Sequence, residues 1–167
     1  KNLCGLNVTI PYKEKIINCL DEISDQAKKI GAVNTICFDN QRKIGYNTDI
    51  FGFSKSLEIN EISNIDSVLI LGSGGAAKTI SYFCINNNIS YNIVSRKLSN
   101  SYISYKSLNE KHFIKKVLIV NCTPVGTFPD IDRCPDLPYN LINKENVIFD
   151  LVYNPSETLL MKKGKER

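Results

Sequence analysis

Apolar residues fall in four short blocks from residue 68 onward: Val68–Leu71, Ser90–Val94, Val117–Cys122 and Val147–Val152. The first has no polar interruption, which suits a strand buried on both faces of a parallel sheet. A helical pattern over Ala76–Asn86 follows it. From about Ile65 onward the pattern predicts βαβ and then two further strands with helices between them: half or more of a doubly wound sheet. The first half of the chain reads differently. Leu3–Ile10 is predicted as a strand closed by Pro11, which lacks an N–H and disfavours helix for Ile10. From Lys13 onward, Ile16, Ile17 and Leu20 recur at helical spacing among charges. Asp25–Ile30 is a second short helix ended by Gly31. Ala32–Phe38 and Lys43–Tyr46 form a predicted hairpin across the turn Asp39-Asn40-Gln41. Asn47-Thr48-Asp49 caps a helix to about Leu57, with Thr48 or Asp49 accepting from the first free N–H groups. The polar stretch Glu58–Asp66 reads as a linker, and Thr158–Lys163 opens a last helix. The expected organisation is a partial domain over 1–57, a nucleotide-binding domain over 65–155, and the start of a C-terminal helix over 156–167.

Composition narrows the function classes. The 167 residues carry 23% charged side chains and a net charge of +4, with lysines spread rather than clustered. No arginine stripe or RNA-binding aromatic motif supports a nucleic-acid partner. No apolar run approaches a membrane span, and no secretory signal is visible. The six cysteines show no C-x-x-C spacing, and most lie in apolar runs. That favours buried free thiols and a cytoplasmic protein, and with one histidine it argues against a metal site. The chain starts at Lys1 and stops in a basic helical tail. Both ends look cut, so an internal piece of a longer protein is expected.

The break after Leu71 carries the first chemistry. Gly72-Ser73-Gly74-Gly75-Ala76-Ala77 matches G-x-G-x-x-[GA] between a predicted strand and a predicted helix. Gly72 permits the tight turn, Gly74 lets a pyrophosphate approach the backbone, and Ala77 lets helix and strand pack closely. The helix N-terminus offers free N–H groups and a partial positive charge. At the end of the second strand, where NAD-binding sheets place an acidic residue, stand Ser95, Arg96 and Lys97. Two cations there favour a 2′-phosphate, hence NADP over NAD, and Arg96 can bind it bidentately or stack on the adenine.

Candidates for the reaction lie before the linker. Strand alternation places Asn7 and Thr9 on one face, and Lys13 follows Pro11. Asn34-Thr35 and Asn47-Thr48-Asp49 are polar groups in apolar surroundings. A converging lysine and carboxylate can shuttle a proton. Taken singly, each has an ordinary role: Lys13 as a solvated first-turn lysine, Asp49 as a helix cap, Asn34 as a strand-end side chain. Position alone does not decide between them.

Six blocks occur in one order: Gly5–Lys13, Gly31–Thr35, Gly45–Gly52, Gly72–Ala77, Asn121–Gly126 and Asp150–Pro155. Together they closely resemble shikimate dehydrogenase over nearly the whole chain. The resemblance implies a Rossmann-like parallel-sheet NADP-binding domain plus a smaller, incomplete α/β substrate domain. It implies a catalytic Lys13 with Asp49 as its partner, and a substrate wall of Asn7, Thr9 and Asn34. Tyr153 would reach the substrate carboxylate. Gly72, Ser73, Gly74, Gly75 and Ala76 would hold the pyrophosphate, and Ser95, Arg96 and Lys97 the adenosine phosphate. Thr123 and Leu151 would line the nicotinamide, in a cleft between the two halves, and Asp25 falls where some members have an acidic residue near the cofactor. The reaction implied is NADP-dependent reversible reduction of 3-dehydroshikimate to shikimate, on the way to chorismate and the aromatic amino acids. Small-molecule partners are expected, with a homodimer as an open outcome.

Two departures go with the resemblance. The family's earlier strand with a Ser-x-Ser pair has no counterpart here, nor have the helices that return to the first domain with a glutamine. Thr127 also stands where a methionine is common. The isolated piece is therefore expected to bind cofactor better than substrate and to leave an unpaired sheet edge. Competing readings are a quinate/shikimate dehydrogenase using NAD(P), and an inactive nucleotide-binding fragment or module.

Overall fold

The computed structural model describes residues 3–97 and 99–167, so the first two residues of the expected first domain lie outside the described residues. Two compact units emerge: Lys1–Ser63 with Gly74–Phe83, and Asn64–Ser73 with Cys84–Arg167. The division runs through the glycine turn and the helix after it.

The first unit is built on a four-stranded sheet in the order β1-β3-β4-β2. Its strands are β1 (Gly5–Asn7), β2 (Glu22–Ile23), β3 (Thr35–Asp39) and β4 (Arg42–Tyr46). The hairpin β3–β4 is antiparallel with Asp39 opposite Arg42. Asn40 and Gln41 turn between them with φ of 46° and 68°, a tight turn in the left-handed region that suits a two-residue hairpin. Helix α1 (Asp25–Ile30) starts under the Ser24 hydroxyl, which accepts from the Ala27 N–H at 3.3 Å, and ends at Gly31 with φ of 72°.

Three expectations in this unit are corrected. The first strand covers only Gly5–Asn7, because the chain turns at once: the Tyr12 N–H donates to the Thr9 carbonyl at 2.9 Å, ahead of which Pro11 has no N–H to give. The helical segment after Lys13 is a single 3-10 stretch, Lys15–Cys19. Its apolar side packs onto Ala27, Val33 and Ile36 through Ile16, Ile17 and Leu20. The residues after it extend into β2, which runs parallel to β4. Third, helix α2 (Asp49–Ile59) has Thr48 at its N-cap position, yet neither Thr48 nor Asp49 caps it. Asn47 does, accepting from the Ile50 N–H at 3.3 Å.

The second unit carries an all-parallel sheet in the order β6-β5-β7-β8. The strands are β5 (Ser67–Leu71), β6 (Ser90–Val94), β7 (Val117–Asn121) and β8 (Val147–Asp150). The central pair is buried without a break along Val68–Leu71 and Val117–Val120, as the uninterrupted apolar runs require. Edge strand β6 instead alternates, with Ser90 and Asn92 exposed. Helix α3 (Gly75–Asn86) crosses from β5 to β6, and α4 (Leu159–Lys165) follows β8 under the Thr158 cap. Among the described residues, the helices expected between β6, β7 and β8 do not form. Short 3-10 turns (Tyr105–Ser107, Glu110–His112, Tyr139–Leu141) take their place, because Leu108, Phe113, Leu137 and Ile142 each fill the core from isolated positions rather than a helical stripe. The result is a mixed α/β chain with a Rossmann-like parallel sheet.

Candidate active site

Lys13 and Asp49 are 36 residues apart and meet in the first unit. Lys13 Nζ donates to Asp49 Oδ2 at 2.6 Å, and the lysine side chain is only 15% exposed. Lys13 is held there by its backbone, whose carbonyl accepts from the Val33 N–H at 2.8 Å. Asp49 is held by its other oxygen: Asn34 Nδ2 donates to Oδ1 at 2.7 Å. Asn34 also receives the Thr48 N–H on its Oδ1 at 2.8 Å, and Thr35 donates its hydroxyl to the same oxygen at 3.1 Å. With Thr35 and Thr48 hydroxyls 3.1 Å apart, these five side chains form one network. The start of β3 supplies Thr35 and the residue before it, Asn34, the first turn of α2 supplies Asp49, and the turn after β1 supplies Lys13. With both oxygens held, the carboxylate is restrained beside the ammonium, a preorganisation suited to proton transfer to a bound oxygen.

The wall residues are placed less tightly. Asn7 stands opposite Thr35 in the β1–β3 ladder and is exposed. Thr9 lies beyond the end of β1 in the turn, so strand alternation does not align it with Asn7, and it too is exposed. Neither side chain hydrogen-bonds to the Lys13–Asp49 network among the described residues. Tyr153 is 92% exposed. Asp25 lies in the first turn of α1 with its carboxylate in solvent, 3.9 Å from Lys28 Nζ.

The glycine turn has the geometry that its sequence implied, for partly different reasons. Gly72 has φ of 108°, and a Cβ there would lie 3.0 Å from Thr123 Cγ2 and 3.3 Å from the Cys122 carbonyl. A Cβ on Gly74 would meet nothing within 4 Å, so the ground before its backbone is open. Gly75 is closed: its Cβ would lie 2.9 Å from Lys13 Cβ. Its lack of a side chain makes room for Lys13 itself, and only its backbone is left for a ligand. Ala76 is half-buried and Ala77 is buried.

Ser73 and Ser95 face one another with hydroxyls 3.1 Å apart. Ser95 is buried and also receives the Lys97 N–H at 3.1 Å, so it shapes the turn after β6. Arg96 and Lys97 point outward, and among the described residues neither side chain makes a hydrogen bond or ion pair. Burial pushes the Tyr105 hydroxyl pKa up, and the charge of Arg96 pulls against it.

Sequence reasoning missed the polar group at the ends of β7 and β8. Asp150 Oδ1 accepts from Asn121 Nδ2 at 2.9 Å and from the Val152 N–H at 3.0 Å, and its Oδ2 accepts from the Thr158 hydroxyl at 2.7 Å. Asn121 Oδ1 in turn receives the Thr123 N–H at 3.0 Å and the Thr123 hydroxyl at 2.7 Å. The Leu151 N–H donates to the Asn121 carbonyl at 3.2 Å. Asn121 and Asp150 thus set where Thr123 and Leu151 stand. The signal was present: a polar residue closing each of two apolar strands.

The family model described as the shikimate dehydrogenase substrate binding domain matches residues 1–36. A shikimate dehydrogenase (NADP(+)) of Clostridium beijerinckii is 43% identical over 169 residues, covering 96% of this chain and 62% of that protein. Among solved structures, shikimate dehydrogenase 1 of Peptoclostridium difficile superposes with a TM-score of 0.85 at 39% identity, over 98% of this chain and 62% of the other. The shikimate 5-dehydrogenase of Thermus thermophilus, in complex with NADP(H) and shikimate, gives a TM-score of 0.85 at 30% identity, over 99% and 65%. The chain spans a little under two-thirds of the length of these relatives. In sequence and in backbone, nearly all of this chain is similar to the matching part of shikimate dehydrogenases.

Proposed function

We propose that the protein reduces 3-dehydroshikimate reversibly to shikimate with NADP(H). The observation that carries this is the Lys13–Asp49 ion pair at 2.6 Å, locked by Asn34. The residues at the glycine turn fit a dinucleotide: Gly74 leaves open ground before its backbone, and Arg96 and Lys97 project beyond β6 with no ion-pair partner among the described residues. Gly72–Ala76 would hold the pyrophosphate, Ser95–Lys97 the adenosine phosphate, and Thr123 and Leu151 the nicotinamide side. When bound, the reduced nicotinamide supplies the hydride that the carbonyl carbon accepts. Lys13 donates the proton to the developing alkoxide, and in oxidation it takes the proton back from the hydroxyl. Asp49 keeps the ammonium aimed at that oxygen and accepts from a neighbouring ring hydroxyl. Asn34, Asn7 and Thr9 hold the ring hydroxyls, and Tyr153 reaches the carboxylate. A cytoplasmic location and a homodimer belong to the same reading.

The test is 3-dehydroshikimate-dependent NADPH oxidation by the intact protein and by Lys13→Ala. The variant is expected to lose about 10²- to 10⁴-fold in kcat, the range for removal of a positioned acid or base, while its NADPH affinity stays within about twofold. Undiminished turnover by the variant would refute the assignment. NADPH binding without any turnover by the unaltered protein would favour the binding-module reading.

A further inference from the structure

Asn47 lies two residues before Asp49, and its amide is buried with only 4% of the residue exposed. Its Nδ2 donates to the Ala32 carbonyl at 3.0 Å and to the Thr79 hydroxyl at 3.1 Å, and its Oδ1 accepts from the Ile50 N–H. Thr79, in the second turn of α3, is 1% exposed, and its hydroxyl donates to the Gly75 carbonyl at 3.1 Å. A hydroxyl inside a helix ordinarily does no more than that last bond. Here it is also the acceptor that orients a buried amide. Gly75, where this helix begins, abuts Lys13 Cβ. Both members of the acid–base pair are therefore backed by the first two turns of α3: Lys13 by Gly75, and Asp49 through Asn47 and Thr79.

We propose that Thr79 and Asn47 are positioning residues for the proton-transfer pair. Thr79 helps fix the rotamer of Asn47, Asn47 anchors the Ile50 N–H in the first turn of α2, and that anchor sets the approach of the Asp49 carboxylate to Lys13. The proposal rests on the reading that Lys13 and Asp49 carry the proton. Thr79→Val keeps the volume and removes the acceptor. Asn47 Nδ2 is then left with the Ala32 carbonyl alone, and the amide is held by two bonds instead of three. The first turn of α2 loosens, and Asp49 drifts from its 2.6 Å contact. A misplacement of about 1 Å costs up to about 10²-fold in rate.

The experiment compares Thr79→Val and Thr79→Ser in the intact protein. It measures kcat, the KM for 3-dehydroshikimate, the Kd for NADPH and the Tm. Thr79→Val is expected to lose about tenfold in kcat with the NADPH Kd within about twofold. Thr79→Ser, which restores the hydroxyl, is expected to recover at least half of the activity. A Thr79→Val protein with a lowered Tm but kcat within twofold of the unaltered protein, measured well below that Tm, would overturn the proposal. So would Thr79→Ser as impaired as Thr79→Val. If Thr79→Val does not fold, the ratio of Thr79→Ala to Thr79→Ser decides by the same criterion. Lys13→Ala, run alongside, separates the two levels. Full turnover there sinks the catalytic reading, whereas lost turnover there with an unimpaired Thr79→Val sinks only the positioning role.

Discussion

Replacing Asp150 by alanine removes three acceptor contacts at once, and the structure says what each is worth. The Val152 N–H is half-buried and can turn to water, so its loss costs little. Asn121 and Thr158 are 0% and 1% exposed. Asn121 Nδ2 keeps only a long contact, 3.4 Å, to the Val125 carbonyl. The Thr158 hydroxyl keeps its acceptor role to the Met161 N–H but has nothing left to donate to. Two buried donors stranded at about 1–3 kcal/mol each, less the relief of no longer desolvating a carboxylate, give a loss of about 2–4 kcal/mol. Asp150→Asn retains Oδ1 and both contacts made there, and the Thr158 hydroxyl can turn to accept from the new amide. Its cost is about 1 kcal/mol. For a chain of this size each kcal/mol moves Tm by about 2–4 °C, so the alanine variant should melt roughly 5–15 °C lower and the asparagine variant only a few degrees lower. The chain has no tryptophan and eight tyrosines, so tyrosine fluorescence and far-UV circular dichroism through a urea titration are the suitable probes. Equal losses for the two variants, or an alanine variant within about 0.5 kcal/mol of the unaltered protein, would show that the Asn121–Asp150–Thr158 group does not hold the strand ends.

Four further outcomes are expected. Arg96→Asp should weaken NADPH binding by at least tenfold more than NADH binding in fluorescence titrations; equal losses would mean that Arg96 does not read the 2′-phosphate. Burial pushes the Cys84 thiol from 9.0 up to about 12, so mass spectrometry after brief iodoacetamide treatment at pH 8 should find label at exposed Cys19 and Cys37 and none at Cys84. The unfolded chain ionises this thiol near 9.0 and the folded chain does not, so its contribution to stability is intact below 9.0 and falls as pH rises towards 12; a urea midpoint that this range leaves unmoved in a Cys84→Ala comparison would count against it. Gly31→Ala places a Cβ at φ of 72° and should lower stability by about 1 kcal/mol in the same urea assay, whereas an unchanged midpoint would show that the left-handed end of α1 is not needed.

Local signals were legible where one residue type suffices for one geometry. The Asp25–Ile30 helix ended by Gly31, the Asn40-Gln41 turn, and the strand–glycine–helix order at Ser67–Asn86 follow from a glycine stop, turn residues and buried apolar runs. Helix expectations failed where apolar residues had helical spacing but too little length. Lys15–Cys19 has one turn's worth of apolar side chain, and the core takes it as a 3-10 stretch. Between β6 and β7 the core is filled from Leu108 and Phe113 at isolated points, so no continuous helix was needed. The Thr48 or Asp49 cap failed for a related reason. Those side chains are engaged by Asn34 and Lys13, and Asn47 took over the cap.

The sequence by itself determined that a glycine turn follows a buried strand and opens a helix, and that lysine and carboxylate candidates for moving a proton precede it. It did so because patterns of burial and turn chemistry act over a few residues. Tertiary structure alone decided that Lys13 meets Asp49 across 36 positions, that Gly75 is small because Lys13 lies against it, and that Asn47 and Thr79 share a bond. Each of these is a contact between segments whose separation along the chain carries no local signal. The two polar contacts answer the need of groups removed from water for a partner, and the glycine contact answers the close packing that leaves no room for a side chain.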